Sequence, residues 1–174
     1  HRFADLSERN YGVALLNDCK YGYDIKDNVM RLSLLRSGLQ PDHLQDLGRH
    51  TFTYSLLPHK GDFVEGRVVE EAFALNNPME VYKGRDKTGF DSFFTLDNPQ
   101  IEVDAVKKSE DGKYLVVRFH DFAGAKQNVE LTPGFSWKTW AEGDLMERPA
   151  GAFTSENPRM SLHPYEIKTI LFEL

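Results

Sequence analysis

Cysteine is almost absent from this chain: Cys19 is the single one in 174 residues. One thiol excludes an intrachain disulfide framework and fits a reducing compartment, so a cytoplasmic setting is expected. Basic residues are also short, 21 Lys and Arg against 27 Asp and Glu, which leaves a formal net charge of −6. Nucleic-acid surfaces need clustered Lys and Arg, and the longest basic runs here are pairs such as Lys107-Lys108, so no nucleic-acid partner is expected. No apolar run approaches the roughly 20 residues that cross a bilayer, and no membrane partner is expected. The first residues, His1-Arg2-Phe3-Ala4-Asp5-Leu6, offer no initiator Met and no apolar leader. The expectation is a chain that begins in mid-protein, with anything upstream of His1 out of view.

Signatures of catalysis are missing as well. The six histidines form no H-E-x-x-H and no Cys/His pair with zinc spacing. His43, His50 and His59 are seven and nine residues apart, so they are read as packed or exposed side chains, with His50 inside a strand. Glu70 and Glu71 are adjacent on an expected helix and diverge by about 100°, so they do not converge as a glycosidase pair would. No G-x-S-x-G elbow is present. Lys20 beside Cys19 is expected to lower the thiol pKa, yet no base lies nearby in sequence, and the thiol is read as structural or merely reducible. Trp137 and Trp140, three apart in an expected strand, should face opposite sides, one of them in the core.

What is present is apolar alternation. An apolar content of 40% supplies a core. Residues 11–17 carry Val13 and Leu15 on one face and Ala14 and Leu16 on the other, which is the pattern of an interior strand covered on both sides. Residues 25–36 read as a hairpin turning at Asp27-Asn28. A strand is expected over 50–57 and closed by Pro58, and a short amphipathic helix over 64–73. Residues 79–89 read as a linker. Beyond it, strands are expected at 92–96, 100–107, 113–120, 127–132, 135–140, 144–147 and 165–172, with Asp111-Gly112 the clearest turn. The first half offers about four strands with apolar faces that lack partners, so self-association, a homo-oligomer, is expected if nothing else covers them.

Several strings go further. Tyr11-Gly12-Val13-Ala14-Leu15-Leu16-Asn17-Asp18-Cys19-Lys20-Tyr21-Gly22 resembles the end of the large β domain in α-mannosidases of glycoside hydrolase family 38. Residues 29–37 and 48–59 continue the resemblance, and 144–149 and 164–169 resemble the family's closing segment. Where relatives commonly show a Tyr-Glu-Ala-His-Gly-like string, this chain has His120-Asp121-Phe122-Ala123-Gly124, which keeps a carboxylate at Asp121.

The resemblance implies an all-β chain: the terminal strands of a large β-sandwich over 1–78, then an immunoglobulin-like β-sandwich over 90–174, with one short helix. It implies a parent that is a retaining, metal-dependent α-mannosidase acting on α-mannoside glycans. Its zinc and nucleophile would lie in an N-terminal catalytic domain missing from this chain. No catalytic or metal residue is therefore assigned here, no cofactor is expected in this chain, and the fragment alone is expected to be inactive. The resemblance also implies that the loop 18–24 faces the substrate, with Asp18, Lys20 and Tyr21 as candidate substrate-binding residues. A carbohydrate-binding module and a purely structural β domain are the alternatives.

Overall fold

The chain is described by a computed structural model, which covers residues 1–84 and 92–174. The strand foreseen from two-sided apolar patterning is β2 (Gly12–Asn17), the centre of a three-stranded antiparallel sheet between β1 (Phe3–Ser7) and β5 (Tyr54–His59). Ala14 and Leu16 pack against Val68 and Ala72 of α1 (Val68–Asn76). Leu15 is buried on the opposite face. A hairpin of β3 (Tyr23–Lys26) and β4 (Val29–Leu32) follows β2 and turns at Asp27-Asn28, with Asp27 at φ 53°. Together these elements form one compact unit, His1–Lys83.

A buried histidine–carboxylate contact crosses this sheet. His59 Nε2 lies 2.7 Å from Asp5 Oδ1, and the two side chains are 3% and 10% exposed. Asp5 stands on one outer strand and His59 on the other, so the imidazole must pass over the central strand at Gly12. A Cβ at Gly12 would overlap the His59 ring and the Ser7 side chain, and a Cβ at Gly66 would overlap the other side of the same ring. Glycine is required at both places by close approach rather than by backbone angle. His59 Nδ1 is buried without a hydrogen-bond partner among the described residues.

The second unit, Gly84–Leu174, is a two-layer antiparallel sandwich. One layer has the order β10 (Thr139–Gly143), β12 (Ile167–Glu173), β8 (Leu115–Asp121), β7 (Ile101–Lys108). The other has the order β11 (Arg159–Leu162), β9 (Gln127–Pro133), β6 (Phe94–Leu96). Leu115, Val117, Phe119, Ile170 and Phe172 of the first layer meet Val129, Leu131, Met160 and Leu162 of the second in one core. The all-β class expected from alternation holds, with α1 the one helix among the described residues.

Several expectations are corrected. The helix starts at Val68, not at 64, because Asp62 Oδ1 accepts the Val64 and Glu65 N–H groups at 2.9 and 3.0 Å and holds a turn there. The third strand of the first sheet begins at Tyr54, so His50 lies outside it, and Pro58 pairs with Val13 inside it rather than ending it. An outer strand tolerates a missing N–H on its free side. Residues 144–147 form a turn, not a strand: Asp144 Oδ1 accepts the N–H groups of Met146 and Arg148 at 2.8 and 2.9 Å. The strand expected over 135–140 is β10, which starts only at Thr139, so the period-2 argument does not apply to Trp137. Both tryptophans pack on the same core, Trp137 edge-on to Phe172 at 5.9 Å.

Two strands, β1 and β11, escaped the sequence reading. The expected linker 79–89 and the sandwich start at 90 fall partly outside the described residues. The expected order of stability follows from the crossing pair. Gly12→Ala should displace His59 from Asp5 and cost about 1–3 kcal/mol, the typical loss when a buried polar group is left without its partner. Hydrogen exchange at the β2 amides measures it. Gly151→Ala, where the added methyl meets open space, should change stability by less than about 0.5 kcal/mol.

Candidate functional site

The loop that leaves β2 is the candidate site, and a buried asparagine builds it. Asn17 is 1% exposed at the end of β2. Its Oδ1 accepts the N–H of Cys19 at 3.0 Å and that of Lys20. Its Nδ2 donates to the Tyr23 hydroxyl, which itself donates to Leu15 O at 3.2 Å. From the helix side, Asn76 Nδ2 donates to Asn17 O at 3.1 Å and to Ala72 O at 2.8 Å. The loop is thus tied at its base to both β2 and α1.

The sequence-derived candidates occupy different situations. Asp18 Oδ1 accepts the Thr53 N–H at 2.9 Å, while the Asp18 N–H donates to Thr53 O at 3.2 Å. This exchange continues the β2–β5 ladder by one side-chain step, so Asp18 clips the loop to the chain before β5. The Lys20 ammonium stands 4.7 Å from the centre of the Phe52 ring, a cation–π contact. Tyr21 is 72% exposed at the tip, and its ring lies edge-on to His1 at 5.3 Å. The structure therefore brings Asp18, Lys20 and Tyr21 onto one short loop, where all three line one small concavity.

That concavity, lined also by Asn17, Cys19 and Asn76, holds about 120 Å³. That is below the roughly 300 Å³ at which ligand pockets begin. The loop can supply one wall of a binding site and needs a second. Asn17, Thr53 and Asn76, the residues that fix its geometry, were not singled out from sequence. The available signal was an asparagine closing a strand that is apolar on both faces.

Electrostatics corrects one expectation. The Thr53 N–H and the Cys19 thiol both donate to Asp18, which holds its carboxyl below the ordinary aspartate range. In return the Cys19 thiol is pushed up, first by its hydrogen bond to Asp18 and then by burial and the Asp18 charge; Lys20 opposes these and loses. Cys19 is exposed but not activated. Among the described residues no three His, Cys, Asp or Glu side chains gather as a metal would require. The zinc expected of a parent enzyme finds no ligand set among these residues.

A depressed carboxyl stabilises the fold above the unfolded aspartate pKa, and that contribution disappears as pH falls through the folded value. The Thr53 and Cys19 amide signals should therefore titrate with a midpoint below the usual aspartate range. Alkylation of Cys19 by iodoacetamide at neutral pH should speed up by a few fold in Asp18→Asn, because removing the charge lowers the thiol pKa. Equal rates in the two proteins would contradict the assigned Asp18–Cys19 contact.

The Glycosyl hydrolases family 38 C-terminal domain matches residues 1–44, and the Glycosyl hydrolases family 38 C-terminal beta sandwich domain matches residues 100–170. Alpha-mannosidase 2C1 of Homo sapiens is 36% identical over 183 aligned residues, which take in 100% of this chain and 18% of that protein. Alpha-mannosidase G of Dictyostelium discoideum is 37% identical over 182 residues, 99% of this chain and 17% of its own length. The chain thus spans under a fifth of these two relatives. A solved family 38 glycosyl hydrolase from Enterococcus faecalis superposes with a TM-score of 0.78 at 22% identity, over 99% of this chain and 22% of that one, a likeness of fold. Two C-terminal family domains in order, with the whole of this chain aligned to a part of α-mannosidases, place it in glycoside hydrolase family 38, as a portion of its C-terminal region.

Proposed function

We propose that this chain is the non-catalytic C-terminal part of a retaining α-mannosidase that removes terminal α-linked mannose. In this reading its first unit, His1–Lys83, packs against the missing catalytic part, and the β2–β3 loop contributes one wall of the substrate pocket. The chemistry itself, a two-carboxylate displacement through a glycosyl intermediate, belongs to the missing part. One observation carries the reading. A strand buried on both faces delivers a hydrogen-bonded loop whose tip, Tyr21, stands 72% exposed. An anchored backbone with an outward aromatic is what a ligand-facing wall needs, and the small concavity leaves room for a partner wall.

Roles within the loop follow from the contacts. Tyr21 offers a ring face to a pyranose, and Lys20 offers an ammonium donor steadied by Phe52. Asp18 acts mainly as the clip that holds them, with its second carboxylate oxygen as an acceptor. A cytoplasmic setting agrees with the exposed free thiol of Cys19, and among the described residues no helix is long and apolar enough to cross a membrane.

The packing half of the proposal rests on exposed apolar side chains of the first unit. Leu39, Leu47 and Leu56 are 78%, 74% and 66% exposed, and Leu35, Leu44 and Tyr54 are more than half so. Such a surface is expected at an interface.

Two outcomes test the proposal. In the full-length enzyme, Tyr21→Ala and Lys20→Ala should each lower kcat/KM by about tenfold or more, roughly 1.4 kcal/mol, at an unchanged melting temperature. Normal kinetics in both variants would reduce the loop to scaffold. The isolated chain, with its apolar surface uncovered, should self-associate, burying roughly 1,000 Å² or more. A strict monomer across the concentration range of a sedimentation experiment would argue against that surface as an interface.

A further inference from the structure

The sandwich carries a second concavity, on the outer face of its four-stranded layer, that the mannosidase reading does not use. Strand alternation sends Phe119 into the core, and sends Arg118 and His120 of β8 outward. The turn after β10 folds back across this face. Arg118 Nη2 donates to Leu145 O at 3.1 Å and its Nε donates to Thr169 Oγ1 at 3.1 Å. Lys107 pairs with Glu147 at 2.5 Å. Between this turn and the β11–β12 turn lies an open concavity of about 590 Å³, lined by residues that include Asp104, Arg118, His120, Leu145, Tyr165 and Ile167. That volume is within the range of small-molecule sites.

Its most unusual element is Tyr165. The ring is 70% exposed, yet the backbone has φ 60°, a left-handed conformation that bulky side chains seldom adopt. Such strain persists only where the surroundings fix it. Here they do. The Tyr165 N–H donates to Asp121 Oδ2 at 2.9 Å, and Asp121 is fully buried, also accepting from Ala123 at 3.1 Å and Gly124 at 2.9 Å. The phenol ring lies over Gly124, where a Cβ would collide with it. A tyrosine held in a strained backbone and leaned on a glycine is a rigid aromatic platform facing solvent.

The polar groups beside the platform already have partners. Asp104 takes His120 Nδ1 on both carboxylate oxygens, at 3.1 and 2.9 Å, and Arg118 is engaged with Leu145, Thr169 and, at 3.9 Å, Glu147. A site whose Arg118 is already engaged and which carries the Asp104 carboxylate offers little to an anion. It offers much to a neutral polyol. A carboxylate has about four acceptor positions, so Asp104 keeps capacity for hydroxyl donors, and among the described residues His120 Nε2 has no partner.

We infer that this face of the sandwich binds a neutral hexopyranoside. The apolar C–H face of the sugar rests on the Tyr165 ring, with Leu145 and Ile167 at its edge. Its vicinal hydroxyls meet Asp104 and His120. The inference stands apart from the mannosidase reading and would survive the failure of the Tyr21 variants.

Titration of the 174-residue chain with methyl α-mannopyranoside and, separately, methyl β-glucopyranoside, followed by amide NMR shifts, tests it. The expected result is saturable binding in roughly the millimolar range with at least one glycoside, with shifts centred on residues 104, 118–122, 145 and 165–167. Tyr165→Asn removes the ring while suiting the left-handed backbone, and Asp104→Asn removes the anionic acceptor. Each should weaken binding about tenfold at an unchanged melting temperature. Four outcomes overturn the inference: no saturable shift with either glycoside, shifts confined to residues 17–23, undiminished binding in both variants, or tighter binding of glucose 6-phosphate than of either neutral sugar.

Discussion

Two-sided burial of β2 is the constraint on which the first unit depends. Ala14 and Leu16 lie against α1 while Leu15 is buried behind them. The strand can shift neither sideways nor in register without exposing one set or the other. That fixed register decides three further features. It sets Gly12 under the His59 ring so that the imidazole reaches Asp5. It puts Asn17 at the strand end, where one side chain satisfies two loop N–H groups. It aligns Asp18 with Thr53, which prolongs the ladder into the loop. The exposed tip at Tyr21 is the last consequence of a strand that cannot move.

The sandwich obeys a similar logic with a different anchor. Its core is dominated by Phe119 and Phe172 on neighbouring strands, and the residue next but one to Phe119 is the buried carboxylate Asp121. Burying an aspartate is costly unless it is fully hydrogen-bonded. Three N–H donors from two turns meet that requirement and in doing so lock those turns together. Asp121 thus holds its carboxylate in a structural duty.

Much of this was legible in the sequence, and the exceptions have physical reasons. The interior strand, the Asp27-Asn28 and Asp111-Gly112 turns and most sandwich strands follow from period-2 patterning and turn chemistry. β1 was missed because Asp5 interrupts its inward face, and only the partner His59, 54 residues away, makes an inward aspartate acceptable. β11 is four residues long and offers only Met160 and Leu162 as signal. Boundaries slipped wherever a side chain captured local N–H groups, as Asp62 and Asp144 do, since such turns compete with helix and strand. At the site, the loop and its exposed residues could be named. The hub Asn17 could not, because its partners Tyr23, Cys19, Lys20 and Asn76 meet it only in the fold.

The role proposed above is that this chain does no chemistry itself and completes an enzyme whose reacting groups lie elsewhere. The most direct measurement is complementation. The remainder of the long α-mannosidase, prepared without these residues, is assayed on an aryl α-mannoside alone, with this chain added, and beside this chain by itself. The account predicts no turnover by the chain, impaired turnover by the remainder, and recovery on mixing. Turnover by the purified chain, or a remainder that is fully active and indifferent to the addition, would contradict it.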